Sequence, residues 1–124
     1  MKKILIADDS RVQVHQISQW LTEKGFHVVA SFDALQAWMT ALREAPDAII
    51  LDISMPGGSG IDVLKKLSFS PKTQHIPVIV VSASQELSLE QEAKQLGAIE
   101  FLHKPVDRDK LLSGLARLAE QRDT

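Results

Sequence analysis

Residues able to do ionic chemistry stand behind four of the apolar runs in this 124-residue sequence. Asp8 and Asp9 follow Ile4-Leu5-Ile6-Ala7, and Asp52 follows Ala48-Ile49-Ile50-Leu51. Ser82 follows Val78-Ile79-Val80-Val81, and Lys104 stands just beyond Ile99-Glu100-Phe101-Leu102. Singly, each has an ordinary explanation: Asp9 as a helix cap, Asp52 as a strand terminator, Ser82 as a turn residue, Lys104 as a solvated cation. Gathered at one place, three carboxylates would repel and raise one another's pKa unless something cationic sat among them. A hard divalent ion meets that need. Magnesium binds through one or two carboxylates, with waters and phosphate oxygens completing its shell, and this set suits it.

What would gather them is the fold. The four runs, with His27-Val28-Val29-Ala30, are mostly continuous and β-branched, which is how strands covered on both faces read. Between them lie segments with helical spacing. Ser10-Arg11-Val12-Gln13 has the form of a capping box before Val14, Ile17 and Leu21, with Gly25 to end the helix. Asp33 can cap a second helix carrying Ala34, Ala37, Trp38 and Ala41, stopped by Pro46. Gly60 leads into a third with Ile61, Leu64 and Leu67. A fourth, from Glu86 to Leu96, has a thin stripe of Leu89, Ala93 and Leu96 before Gly97. A fifth begins after Asp107 and carries Leu111, Leu112, Leu115 and Leu118, leaving Gln121 to Thr124 as a tail. Strict alternation predicts an α/β fold: a doubly wound, five-stranded parallel sheet of flavodoxin-like (βα)5 type, order 2-1-3-4-5. Ligands bind such sheets at the carboxyl ends of the strands, where the polar residues fall. The second run, expected at the sheet edge, contributes none.

Length suits one domain over residues 1–124. A net charge of −2 offers no field to nucleic acid or anionic lipid. The absence of cysteine excludes disulfides, thiolate metal sites and cysteine nucleophiles. No apolar run approaches the roughly 18 residues of a membrane span, and the start lacks a signal-peptide core, so a cytoplasmic location is expected.

At these residues the sequence resembles the receiver domains of two-component response regulators. The matching segments are Asp8-Asp9-Ser10, Asp52-Ile53-Ser54-Met55-Pro56 with Gly60 behind it, Ile76-Pro77-Val78-Ile79, Ser82-Ala83, Gly97-Ala98 and Lys104-Pro105. The resemblance implies that Asp52 accepts a phosphoryl group on its carboxylate. It implies that Asp8 and Asp9 hold Mg²⁺ with Asp52 and the backbone carbonyl of Ser54, Asp9 more directly and Asp8 partly through water. Lys104 would grip a phosphoryl oxygen, aimed by a cis bond to Pro105. The Ser82 hydroxyl would turn to the phosphoryl group, vacating space for Phe101; for Phe101, plain core packing stands beside that reading. Ser54 and Ser84 stand where relatives tune dephosphorylation, and both are small.

The implied activity is a signalling receiver, which catalyses only its own phosphorylation and dephosphorylation. Its implied partners are a histidine kinase or histidine phosphotransfer protein, and a target protein or an output domain absent from this chain. Helix one would face the kinase; helix 4, strand 5 and helix 5 would face the target. A phosphatase with a D-x-D-x-T loop does not fit Asp8-Asp9-Ser10-Arg11-Val12. A flavin carrier does not fit either, because two carboxylates would repel its phosphate. An unphosphorylated receiver-like interaction module is the alternative; such relatives usually lack an acidic residue or the lysine, and this chain keeps them all. His103 is the histidine nearest the site, and strand alternation should turn it away.

Overall fold

Five short runs become five parallel strands: β1 (Lys3–Ala7), β2 (His27–Ser31), β3 (Ala48–Asp52), β4 (Val78–Ser82) and β5 (Glu100–His103). They alternate with five helices: α1 (Arg11–Glu23), α2 (Ala34–Glu44), α3 (Gly60–Phe69), α4 (Leu87–Gln95) and α5 (Arg108–Asp123). The computed structural model describes residues 3–54 and 60–123, so Pro56 lies outside the described residues. Strand order is β2-β1-β3-β4-β5, the expected doubly wound order. Its direction of winding reverses between β1 and β3, where an α/β sheet opens a crevice.

Alternation along each strand sorts the core into two layers. Leu5, Ala7, Ile49, Leu51, Val78 and Val80 face one way, onto Ala34, Ala37 and Ala41 of α2, Ile61, Leu64 and Leu67 of α3, and Ala93 of α4. Ile4, Ile6, Ala48, Ile50, Ile79 and Val81 face the other, onto Val14, Ile17 and Leu21 of α1 and Leu111, Leu115 and Leu118 of α5. All five β3 side chains are buried, as are all five of β4. The outer strands β2 and β5 are half covered, and α4 buries only Ala93 completely. Among the described residues, no helix is long and apolar enough to cross a membrane.

The caps fix where these helices start. Ser10 Oγ accepts from the Gln13 amide at 3.2 Å, and Asp33 Oδ1 from the Gln36 amide at 2.8 Å. Gly25 and Gly97, with φ of 88° and 102°, carry the chain away from α1 and α4. Three local expectations need correction. The Ser10 amide does not go to Gln13, as a reciprocal capping box requires, but to Asp8 Oδ1 at 2.9 Å. Strand β5 begins one residue later than the apolar run, because Ile99 stays 43% exposed while Glu100 pairs with Ile79. Helix α5 continues through Asp123 rather than ending before Gln121.

Candidate functional site

Three strand ends close in the same way. Asp8 follows β1, and its Oδ1 accepts from the amide of Ser10. Asp52 ends β3, and its Oδ1 accepts from the amide of Ser54 at 2.9 Å. Ser82 ends β4, and its Oγ accepts from the amide of Ser84 at 2.9 Å. In each turn a side-chain oxygen caps the amide two residues on, which holds a short polar side chain at the strand's tip. Pairing does the rest: the Ile53 amide reaches Val81 O at 3.2 Å, and the Lys104 amide reaches Ser82 O at 2.8 Å. Adjacent parallel strands therefore present their polar tips along one rim.

The tips meet. Carboxylate oxygens of Asp8, Asp9 and Asp52 lie within 4.8 Å of one another, with Asp8 and Asp52 buried and Asp9 exposed. Lys104 reaches in from beyond β5, with Nζ 3.1 Å from Asp52 Oδ2 and 3.3 Å from Asp8 Oδ2. Burial pushes the Asp8 carboxyl up to about 6, aided by the Asp52 charge and resisted by the Ser10 amide and Lys104. Burial also opposes the charge of Asp52, but the Ser54 hydroxyl and amide, then Lys104, outweigh it and hold that carboxyl below its usual value. The partners explain the split. Asp52 takes two bonds from Ser54 and the nearer contact from Lys104, whereas Asp8 takes one amide and the longer contact. Burial opposes the charge of Lys104 too, yet Asp52 and Asp8 together raise it above its ordinary value. Ionised Asp52 thus faces an ammonium, beside a carboxyl that ionises less readily. A divalent cation would relieve that third charge, and one buried and one exposed carboxylate beside that of Asp52 fit a magnesium shell left open to water and phosphate.

Asp8, Asp9, Asp52 and Lys104 are brought together, with Ser82 buried at the next strand tip. Gly60 opens α3, where its amide donates to Ile53 O at 3.2 Å; a Cβ there would collide with the Ile53 backbone and lie 2.7 Å from Asp52 O. The Lys104-Pro105 bond is cis. Phe101 is half-buried, resting on the α2–α4 side of the core, and it lines an open cleft of about 400 Å³ with Lys104 and Pro105. The expectation for Ser54 is a backbone carbonyl for the metal and a small side chain. Its hydroxyl also donates to Asp52 Oδ1, at 2.7 Å. The signal was present, since a serine stands two residues after Asp8, Asp52 and Ser82 alike. His103 does turn from the carboxylates, onto α4: Nδ1 lies 3.2 Å from Ser84 O and Nε2 3.6 Å from Glu90 Oε1.

The pattern of the response regulator receiver domain matches residues 4–116. The protein PilH of Pseudomonas aeruginosa is 33% identical over 112 residues, which are 90% of this chain and 93% of PilH. The response regulator PleD of Caulobacter vibrioides is 36% identical over 105 residues, 85% of this chain but 23% of PleD; the chain spans less than a quarter of that relative's length. A CheX-CheY-BeF3-Mg+2 complex from Borrelia burgdorferi contains a chain that superposes with a TM-score of 0.87 at 30% identity, covering 94% of this chain and 88% of that one. A family match running from β1 into α5, across every strand tip that builds the acidic rim, makes this chain a member of the response regulator receiver domain family.

Proposed function

We propose that this receiver accepts a phosphoryl group on Asp52 from a histidine kinase or histidine phosphotransfer protein, with Mg²⁺ held by Asp8, Asp9, Asp52 and the Ser54 carbonyl. The observation that carries the reading is the meeting of three carboxylates within 4.8 Å, with the Lys104 ammonium 3.1 Å from the nucleophile. Asp52 is held ionised, so a lone pair is ready to attack phosphorus. As its oxygen bonds phosphorus, the P–N bond to the donor imidazole breaks and its electron pair leaves with the ring. The bound ion would neutralise charge on the phosphoryl oxygens of a loose transition state. Lys104, held protonated, supplies a point charge to the same oxygens once its contact with Asp52 Oδ2 gives way.

The new group, strongly anionic near neutral pH, draws the Ser82 hydroxyl to itself, which requires Ser82 Oγ to leave the Ser84 amide. Phe101 follows into the space, changing the surface of α4, β5 and α5 that a target or output domain reads. The thin packing of α4 supports a two-state shift there. The domain works as a cytoplasmic signalling switch and catalyses only its own phosphorylation and dephosphorylation.

Incubation with a small phosphodonor and Mg²⁺, followed by intact-mass measurement, tests this. Wild type gains one phosphoryl group that hot alkali removes; Asp52→Asn gains none, and neither does wild type without Mg²⁺. Equal labelling of Asp52→Asn would overturn the assignment.

A further inference from the structure

His103 ends β5 on the same side of the strand as Phe101, facing α4. Both of its ring nitrogens face oxygen acceptors: Nδ1 the Ser84 carbonyl at 3.2 Å, Nε2 the Glu90 carboxylate at 3.6 Å. A neutral imidazole carries one N–H and no charge, so only the doubly protonated ring can donate to the carbonyl and also attract the carboxylate. The ring also meets Phe101 edge-on, with centroids 5.2 Å apart at 65°. The residue it holds is Ser84, whose amide holds the Ser82 hydroxyl oxygen at 2.9 Å. One ring therefore touches the helix, the turn and the aromatic side chain that the switch must move.

We propose that His103 is a positioning residue of the phosphorylation switch, whose protonated ring pins α4 and the β4–α4 turn against β5 in the unphosphorylated state. The inference rests on the receiver reading and extends it to what holds the resting surface in place. Helix α4 buries only Ala93 fully, with Leu89 and Leu96 packed in part, so a polar tie adds to a thin apolar attachment. Glu90 is the anchor on the helix, its other oxygen taking Lys94 Nζ at 3.0 Å. Lys94 does not compete for the oxygen that faces His103. From the other side, Asp107 and Lys110 line the cleft that His103 shares with Phe101, one charge of each sign. The adjacent Lys104 turns to the carboxylates. Glu90 is therefore the charge whose contact with the ring depends on protonation. Losing that proton leaves at most one donor, and the helix end is freed while the fold stays intact.

Labelling rates with the small phosphodonor at saturating Mg²⁺, taken from pH 6.0 to 8.0 and expressed as the ratio of variant to wild type, test the clamp. The ratio cancels effects of pH on the donor and on the metal site. His103→Ala and His103→Gln should label about three-fold faster than wild type at pH 6.0, the size expected of an exposed ion pair, with the ratio falling towards one at pH 8.0. Glu90→Gln should show the same trend. A ratio at or below one at pH 6.0, or one that does not change with pH, overturns the proposal. Hydrogen exchange of the α4 amides in unphosphorylated protein supplies a readout independent of labelling. Corrected for intrinsic rates, wild-type protection should drop about three-fold more than that of His103→Gln between pH 6.0 and 8.0. Were neither wild type nor variants to label while exchange still depended on His103, the receiver reading would fail, and with it the role of His103 in a phosphorylation switch, leaving only a tie that holds α4. Labelling with pH-flat ratios and exchange would leave the receiver and remove the clamp.

Discussion

Replacing Asp8 by asparagine should make the metal-free protein more stable, and the size of the gain follows from where Asp8 sits. The residue is 3% exposed, and burial lifts its carboxyl from 3.8 to about 6. Each tenfold change in proton affinity is worth about 1.4 kcal/mol, so keeping Asp8 ionised at pH 7.5 costs the metal-free fold about 3 kcal/mol. The sign follows from proton counting. Folded Asp8 holds its proton more tightly than the unfolded chain does, so wild type loses stability as pH rises from about 4 to about 6 and does not recover it above. Asparagine carries no such charge and keeps an oxygen for the Ser10 amide. Thermal melts in a chelator should place Asp8→Asn about 2–3 kcal/mol above wild type at pH 7.5, on the order of 8 °C for a domain of this size. The gap should close as the buffer approaches pH 4. Saturating Mg²⁺ should raise the melting temperature of wild type and leave the variant nearly unmoved, because the ion stabilises only a fold that binds it. A variant no more stable than wild type at pH 7.5, or a gap indifferent to pH, would refute the reasoning.

Three further substitutions probe the same rim. Lys104→Met strips the shared cation from Asp8 and Asp52 and should lower metal-free stability by about 2 kcal/mol at pH 7.5, less at pH 5 as Asp8 takes up a proton, which melts at the two pH values would show. Gly60→Ala forces a Cβ against the backbone of Ile53; a loss of about 3 kcal/mol in urea unfolding and slower phosphodonor labelling are expected. Ser54→Ala deletes a 2.7 Å bond to Asp52 but leaves the amide, so about 1 kcal/mol should be lost at pH 7.5, and the Asp52 carboxyl resonance should titrate at higher pH.

Much of this was legible in the sequence because a strand covered on both faces has no freedom in its composition. Runs such as Ile49-Ile50-Leu51 and Val78-Ile79-Val80-Val81 name their own position in the sheet, and the first polar residue after each is then bound to stand on the rim. Helix starts at Ser10 and Asp33 were equally plain, since capping is a contact between near neighbours. What escaped depends on distant neighbours. Whether Ile99 or Glu100 opens β5 is settled by pairing with Ile79, and Glu100 is tolerated there because Arg117 of α5 reaches it. The Ser10 amide could serve Gln13 or Asp8, and only the fold brings the buried carboxylate round to take it. His103 turned away from the site as alternation required, but nothing local says that Glu90 of the next layer waits for it.

The contrast between the inner and outer strands has a mechanical meaning. Asp52 ends a strand whose five side chains are all sealed between two layers, so displacing it would disturb both at once. Phe101 and His103 belong to a four-residue border strand beneath a helix that commits a single side chain fully to the interior. Charge added to Asp52, as the proposed function requires, would arrive at a strand sealed on both faces. Its effect would then be felt at the thinly packed border, and amides of β3 and β4 should outlast those of β5 and α4 in deuterated solvent by orders of magnitude.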